Sequence, residues 1–281
     1  MKYDLRKLRQ TELEILKTFD SFCKKNNLKY SLFFGSLLGA VRHQGFIPWD
    51  DDLDVCMPRD DYDKFLELWN NSPETKGFIL QNKINSPAFT QTFTKIRKDH
   101  TTFVETEFEI GLYHHGIYVD VFPMDKIPTG FIKEKIYLWN SLKYLLFSRE
   151  YADPKSSPLV KFASNLILRT VTGERRKKAR CKLYKHIEKN NKLIDNYQYI
   201  HVSTFNGIKF RYKKEIFNSM VQIQFEDGMF NAFEDWDYVL RTLYGDYMQL
   251  PPKDKQVLPH HPIIIDFDKN FEELNLNYEQ K

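Results

Sequence analysis

Paired cysteines are missing from this 281-residue chain. The three present, Cys23, Cys56 and Cys181, show none of the spacings of a zinc site or a disulfide framework. That absence excludes a disulfide-stapled scaffold and points to a reducing compartment. No leader with an apolar run and a small-residue cleavage site opens the sequence, so no secretory signal is expected. Long apolar runs are absent as well: the best candidate, "IYLWNSLKYLLF" at 136–147, falls well short of the ~20 residues that span a bilayer and contains Lys143. Internal repeats and low-complexity segments are also lacking. What remains is 42% hydrophobic and 15% aromatic, ample for a buried core, and predicts a soluble, cytoplasmic globular protein.

Charge is nearly balanced overall, at +4, but unevenly placed. Residues 174–192 hold nine Lys/Arg against two Glu. They follow "SPLVKFASNLILRTVTG", where Leu159, Phe162 and Leu166 form an apolar helical stripe. The span 158–192 is therefore a candidate for peripheral contact with the anionic inner face of a membrane. Ordinary core packing beside a solvated cationic helix is the competing reading. No nucleic-acid partner is expected.

The densest signal is "GFIPWDDDLDV", residues 45–55, with four aspartates in five positions. Leu53, Val55 and Met57 alternate with Asp52, Asp54 and Cys56, the period of a half-buried strand. Asp52 and Asp54 then share a face, and Asp50 joins them if the strand starts early. Asp51 points the other way, so its replacement is expected to be the mildest of the four. Carboxylates this close raise one another's pKa or require a counter-ion, and hard oxygen donors suit Mg²⁺ or Mn²⁺.

Around this run the pattern predicts an α/β protein. A helix is capped by Thr11 with Glu14 and stops at Asn26. A strand at 28–34 leads into Gly35 and Ser36, followed by a short helix and the acidic strand, which Pro58 ends. A helix capped by Asp60 or Asp61 buries Tyr62, Phe65, Leu66 and Trp69. Strands follow at 77–82, 89–97 and 101–105. In the second, Lys95 and Arg97 share a face, either as a clamp for one anion or as solvated cations. The strand "GIYVDVFPMD" carries Asp120 between Val119 and Val121 and ends at Pro123. A carboxylate in such a setting needs a partner. Beyond 130 the character is mostly helical, with strands near 198–204 and 220–226 and a helix closed by Gly245. The predicted organisation is a catalytic core with its N-terminal helix over 1–130, and a mostly helical region over 131–281 packed on it.

A strand ending in Gly-Ser, a short helix, and a strand bearing Asp-x-Asp is the order of a nucleotidyltransferase core with a mixed sheet. Glycine admits a phosphate to the backbone, Ser36 and the helix amides can hold it, and the aspartates can hold metal. Asp120 is the evident third carboxylate.

The stretch "YSLFFGSLLGAVRHQGFIPWDDDLDVCMPRDDYDKF" resembles the signature of the LicD family of phosphotransferases, the fukutin-related branch of the nucleotidyltransferase superfamily. The likeness extends through "KIRKDHTTFVE", "GIYVDVFPMD", "LYGDYMQLPP" and the pair His260-His261. The sequence departs from the family pattern at Ala232-Phe233 and Gln256. The resemblance implies metal-dependent transfer of phosphocholine from CDP-choline to a hydroxyl of a lipid-linked cell-surface glycan precursor, of teichoic acid or lipopolysaccharide type, with release of CMP. By position it makes Asp52 and Asp54 the metal-binding pair, Asp50 the preceding acidic ligand and Asp120 the third carboxylate. Asp52, Asp54 and Asp120 are the candidate catalytic residues. Gly35, Ser36, Arg42, Trp49, Lys95, Arg97, Tyr118 and Tyr247 are the candidate substrate-binding set. Trp49, Tyr113, Tyr118, Tyr244 and Tyr247 are candidates for binding the trimethylammonium, although each ring also has an ordinary packing role. His43, His114, His115, His260 and His261 are candidate bases or phosphate contacts. Transfer of another phospho-substituent such as a phospho-alditol, an NTP-dependent nucleotidyltransferase and a non-catalytic glycan binder are the alternatives.

Overall fold

The structure, a computed structural model, describes residues 3–107, 110–152, 156–193 and 195–274. In chain order the elements are α1 (Leu5–Lys25), β1 (Ser31–Leu32), α2 (Phe34–His43), β2 (Asp54–Pro58), α3 (Arg59–Trp69), β3 (Phe78–Gln81), β4 (Thr94–Lys98), β5 (Thr102–Val104) and β6 (Tyr118–Pro128). There follow α4 (Phe131–Arg149), α5 (Pro158–Thr170), α6 (Gly173–Asn190), β7 (Tyr197–Ile200), β8 (Met220–Phe225), β9 (Gly228–Phe233), α7 (Trp236–Tyr244) and β10 (Ile264–Asp266). The main sheet runs β1-β2-β6-β4-β3, with β7 on the far half of β6. Only β2 and β6 pair in parallel within it; the other pairs are antiparallel. The mixed α/β core is thus as the sequence predicts.

Several boundaries differ, each for a local reason. Helix α1 begins at Leu5, because Leu8 extends its buried stripe and Asp4 caps it by accepting from Lys7 N–H. Thr11 is mid-helix, its hydroxyl donating back to Lys7 O. Helix α2 begins at Phe34, which shortens the preceding strand to two residues and moves Gly35 and Ser36 into the helix's first turn. Helix α3 starts directly after Pro58, so Asp60 and Asp61 lie in its first turn and neither caps it. Strand β4 begins at Thr94, leaving 89–93 outside it.

Strand β6 runs through Pro123. Asp120 N–H donates to Leu53 O of the β2 side, so alternation aims position 123 at the opposite edge. There β4 pairs no further than Val121 and β7 begins only at Asp125. The proline falls in the gap and costs no ladder bond. The hairpin β8–β9 and the short β10, which pairs β5, were not legible as such.

Alternation gives the sheet two unlike faces. Helices α1 and α3 cover the apolar one, with Val55, Ile96, Val119 and Val121 fully buried. Tyr62 of α3 bonds Thr94 on this side, 2.5 Å between oxygens. Edge-to-face rings fasten the layer, among them Phe19–Tyr30 at 5.0 Å and Phe22–Trp69 at 4.9 Å, each adding about 0.5–1.5 kcal/mol beyond burial. A second cluster, including Ile127, Tyr137, Leu145 and Ile187, lies under α4 and α6. Arg59 ties it to α3: the guanidinium holds both Asp125 oxygens, at 2.8 and 3.0 Å, while Asn191 after α6 donates to the same carboxylate.

Candidate active site

The second face of the sheet carries the polar row. Asp54 on β2 is the register partner of Asp120 on β6, and Asp120 is the partner of Lys95 on β4. Three strands therefore set two carboxylates and one ammonium side by side. Lys95 Nζ lies 2.9 Å from Asp120 Oδ1 and donates to Oδ2 at 3.2 Å. The partner that Asp120 requires is thus supplied by the chain.

Asp50, Asp51 and Asp52 lie in the loop before β2, so strand geometry positions only Asp54. The loop is fixed from α1, where Arg9 donates to the carbonyl oxygens of Ile47, Pro48 and Asp50. Asp51 is the most buried of the four aspartates. Its carboxylate accepts from Tyr3 OH and pairs with His260 Nδ1 at 2.9 Å. Its carboxylate is committed to a built contact, which argues against the expectation that its replacement would be mild.

Gly35 and Ser36 sit where α2 meets this loop. A Cβ at Gly35 would collide with Asp50 Oδ2, so glycine is what admits that carboxylate to the helix. Ser36 Oγ accepts from Asp54 N–H at 2.7 Å and fixes β2 against α2; its own proton is left to donate. Gly39 has a parallel role: a Cβ there would strike Gly45 O, where the loop folds back over the helix.

Electrostatics at the site are dominated by burial. Desolvation, then the charge and hydrogen bond of Asp52, pushes Asp50 up to about 8. Asp54 is raised well above the carboxylate range by burial and by Asp52, Asp120 and Asp50, with Lys95 opposing. Burial also raises Asp120 against the pull of Lys95. Glu12 on α1, unremarked in the sequence, is raised by burial and by Asp52, Asp51 and Asp50, and its Oε2 has no hydrogen-bond partner. Burial lowers His260, but Asp51, Asp52 and Glu105 outweigh it and bring the imidazole to about 9. His260 is thus a cation at neutral pH, a charge partner and not a free base. Neither Arg9 nor Glu12 carries a local sequence signal; only the packing of α1 reveals them.

The carboxylates Asp50, Asp52, Asp54 and Asp120 form a hard oxygen donor set of the kind Mg²⁺ or Mn²⁺ takes. Asp120 Oδ1 is buried, with the Lys95 ammonium 2.9 Å away as its charge partner. Among the described residues, no three such side chains close around one point by themselves.

Beside the acidic loop opens a cleft of about 430 Å³ lined by Arg42, Trp49, Tyr244 and Tyr247 with Leu38 and Pro251. Three predicted substrate residues, Arg42, Trp49 and Tyr247, meet here. Arg42 donates to Tyr247 O at 2.6 Å, and Tyr247 OH to Asp237 at 2.6 Å. Tyr244, 44% exposed, lines the cleft, and burial with the charges of Asp54, Asp50 and Asp52 raises its pKa.

Other predicted residues are committed elsewhere. Arg97 is buried, its Nε bonded to Gln81 and its Nη1 to Gly116 O at 2.6 Å, so it braces the sheet edge and is not a solvated cation. Tyr118 has Lys95 Nζ 3.1 Å from its ring centroid and the Arg97 guanidinium at 5.0 Å. Tyr113 packs against Phe89 and His115. His114 bonds Asp99 and Gly116, and His43 stacks edge-on to Trp49.

A helix start carrying Gly-Ser, bonded to a strand whose aspartate partners a carboxylate on the adjacent parallel strand, defines a nucleotidyltransferase-type α/β domain. Residues 27–164 match the family described as LicD/FKTN/FKRP, nucleotidyltransferase domain, so this part of the chain is a LicD-family domain. The chain is 28% identical over 271 residues to the lipopolysaccharide cholinephosphotransferase LicD of Haemophilus influenzae, covering 92% of this chain and 97% of that one. Shorter likenesses join it to uncharacterised proteins of Rickettsia typhi, 41% over 71 residues (25% of this chain, 23% of that one), and Rickettsia prowazekii, 50% over 48 (17% and 18%).

Proposed function

We propose that this chain is a phosphotransferase that moves phosphocholine from CDP-choline to a hydroxyl of a lipopolysaccharide-type glycan precursor, releasing CMP. The observation that carries the reading is the Asp54–Asp120–Lys95 row, led into by a loop whose Ile47 and Trp49 line an aromatic cleft, in a chain similar over nearly its whole length to a cholinephosphotransferase.

Asp50, Asp52, Asp54 and Asp120 would hold Mg²⁺ or Mn²⁺. Bound there, the ion would neutralise the donor's diphosphate and polarise the phosphorus under attack. The amides at the start of α2 and the Ser36 hydroxyl face the same side and favour phosphate oxygens. Lys95 balances Asp120 and stabilises charge that develops on the transferred group. Trp49, Tyr244 and Tyr247 present rings to the trimethylammonium, and Arg42 lies with them. The acceptor oxygen attacks the choline-bearing phosphorus in line, the bridging P–O bond to CMP breaks, and the acceptor's proton passes to Asp120.

The test is incubation with Mg²⁺ and CDP-choline, CDP-activated alditols or nucleoside triphosphates in separate arms, with a deacylated lipopolysaccharide acceptor. CMP and phosphocholine-glycan from the first arm alone support the reading. CMP from an alditol donor, or pyrophosphate from a triphosphate, replaces it.

A further inference from the structure

Helices α4 and α5 each bury one stripe and leave an apolar one in solvent. On α5, Leu168 packs against Leu146 and Phe147 of α4. The opposite stripe carries Leu159, Phe162 and Leu166 at 76%, 68% and 53% exposure. On α4, Tyr137, Ser141 and Leu145 face inward, while Phe131, Ile132 and Trp139 stand out at 79%, 71% and 58%. Core packing therefore does not account for either stripe, and side chains of this size in such density mark a surface that meets something apolar.

The charge around them says what. The one acid of α4, Glu134, is held by Arg211, and α5 contains no acid. Lys135 and Lys143 lie along the α4 rings, with Nζ 5.6 Å from the Phe131 centroid and 5.4 Å from that of Trp139. This is how lysine stems lie along apolar surface while their heads reach polar groups. Helix α6, packed on α4 and tied to α5 by Arg176, which donates to Leu168 O and Val171 O, adds Arg175, Lys177, Lys178, Lys182 and Lys185, all exposed. Aromatic and aliphatic side chains flanked by cations fit a bilayer surface bearing anionic headgroups. Among the described residues no helix is long and apolar enough to cross a membrane.

We infer that α4, α5 and α6 form a docking surface for an anionic phospholipid bilayer, with the α4 and α5 stripes in the headgroup–acyl boundary and the α6 cations on lipid phosphates. The surface is independent of the transfer reaction, and its failure would leave the proposed reaction untouched.

The experiment is co-sedimentation of the full chain with vesicles of phosphatidylethanolamine and phosphatidylglycerol, against vesicles of phosphatidylcholine alone. Binding is expected to the anionic vesicles only. Lys177→Glu with Lys178→Glu and Lys182→Glu should weaken it on the order of a hundredfold, about fivefold per cation. Phe162→Glu with Leu166→Glu should reduce it to background, and neither set should lower the unfolding temperature, since the replaced side chains are exposed. Absence of binding to anionic vesicles overturns the inference, as does binding that both sets of substitutions leave intact. So does a concentration-dependent dimer that Phe162→Glu dissolves, since a second copy would then be the occupant.

Discussion

Asp54 and Asp120 are direct partners across the parallel strands β2 and β6, with Lys95 the next residue in the same row. Two buried carboxylates held this close repel, and one ammonium offsets only part of that repulsion. The row trades stability for a concentrated local field, the one on which the proposed function rests.

The two carboxylates should therefore answer differently to neutralisation. Asp54→Asn removes a repelled group, so the protein should unfold no lower than the parent while transfer falls on the order of a thousandfold. Asp120→Asn should lose activity similarly but cost about 1–3 kcal/mol of stability, because Lys95 is left buried beside a neutral group. Urea unfolding and CMP release on the same preparations check both. Transfer that survives Asp54→Asn would remove the row from the reaction.

Above neutral pH stability should also fall as pH rises. The Asp50 carboxyl sits at about 8 against an ordinary 3.8, so the folded state holds a proton that the unfolded state releases. That contribution is full below the ordinary value and is lost as pH rises through 8. His260, at about 9 against 6.5, follows the same direction over a higher window. The melting temperature in EDTA should fall between about pH 6 and about pH 9, and Mg²⁺ should raise it more at about pH 8 than at about pH 6. Calorimetry at the two values checks this; an equal Mg²⁺ shift at both would contradict the carboxylate set as its binding site.

Much of this was legible in the sequence because the signals are local. Alternation around Leu53, Val55 and Met57 marks β2, the apolar stripe of α3 follows from Tyr62, Phe65 and Trp69, and Asp120 between two valines announces a buried carboxylate. The alternation predicts strand already at Asp52 and Leu53, but β2 begins at Asp54, after a loop whose carbonyls at Ile47, Pro48 and Asp50 are held by Arg9. Contacts across the chain left no local trace. Neither the pairing of Lys95 with Asp120 nor the arrival of His260 at Asp51 can be inferred from spacing. Tyr118 lies in a motif segment, yet its ring face is taken by Lys95, which only the register of β4 on β6 determines.

Asp51 offers a direct contrast with its neighbours. It is buried and bonded to Tyr3 and His260, so Asp51→Ala leaves two polar partners unsatisfied. A loss of about 2–4 kcal/mol is expected from urea unfolding. Any accompanying drop in activity should recover at lower temperature, where the folded fraction is restored. An Asp51→Ala protein as stable as the parent would contradict the contact.

The aromatic cleft makes the sharpest claim about the donor. Tyr244 and Trp49 line the cleft beside the acidic loop, whereas Tyr118 already has a lysine on its face. A ring bound to a quaternary ammonium contributes about 0.5–2 kcal/mol. Trp49→Ala and Tyr244→Leu should therefore raise KM for CDP-choline by roughly threefold to thirtyfold, with a smaller effect on KM for a CDP-activated donor that lacks the positive charge. Tyr118→Leu should give no such discrimination between donors; its effect should instead appear as lost stability, because the Lys95–Asp120 pair loses the ring beneath it. Steady-state kinetics with the two donors separate the cases. If Tyr118→Leu alone discriminates against choline, the ammonium site lies on the sheet and not in the cleft.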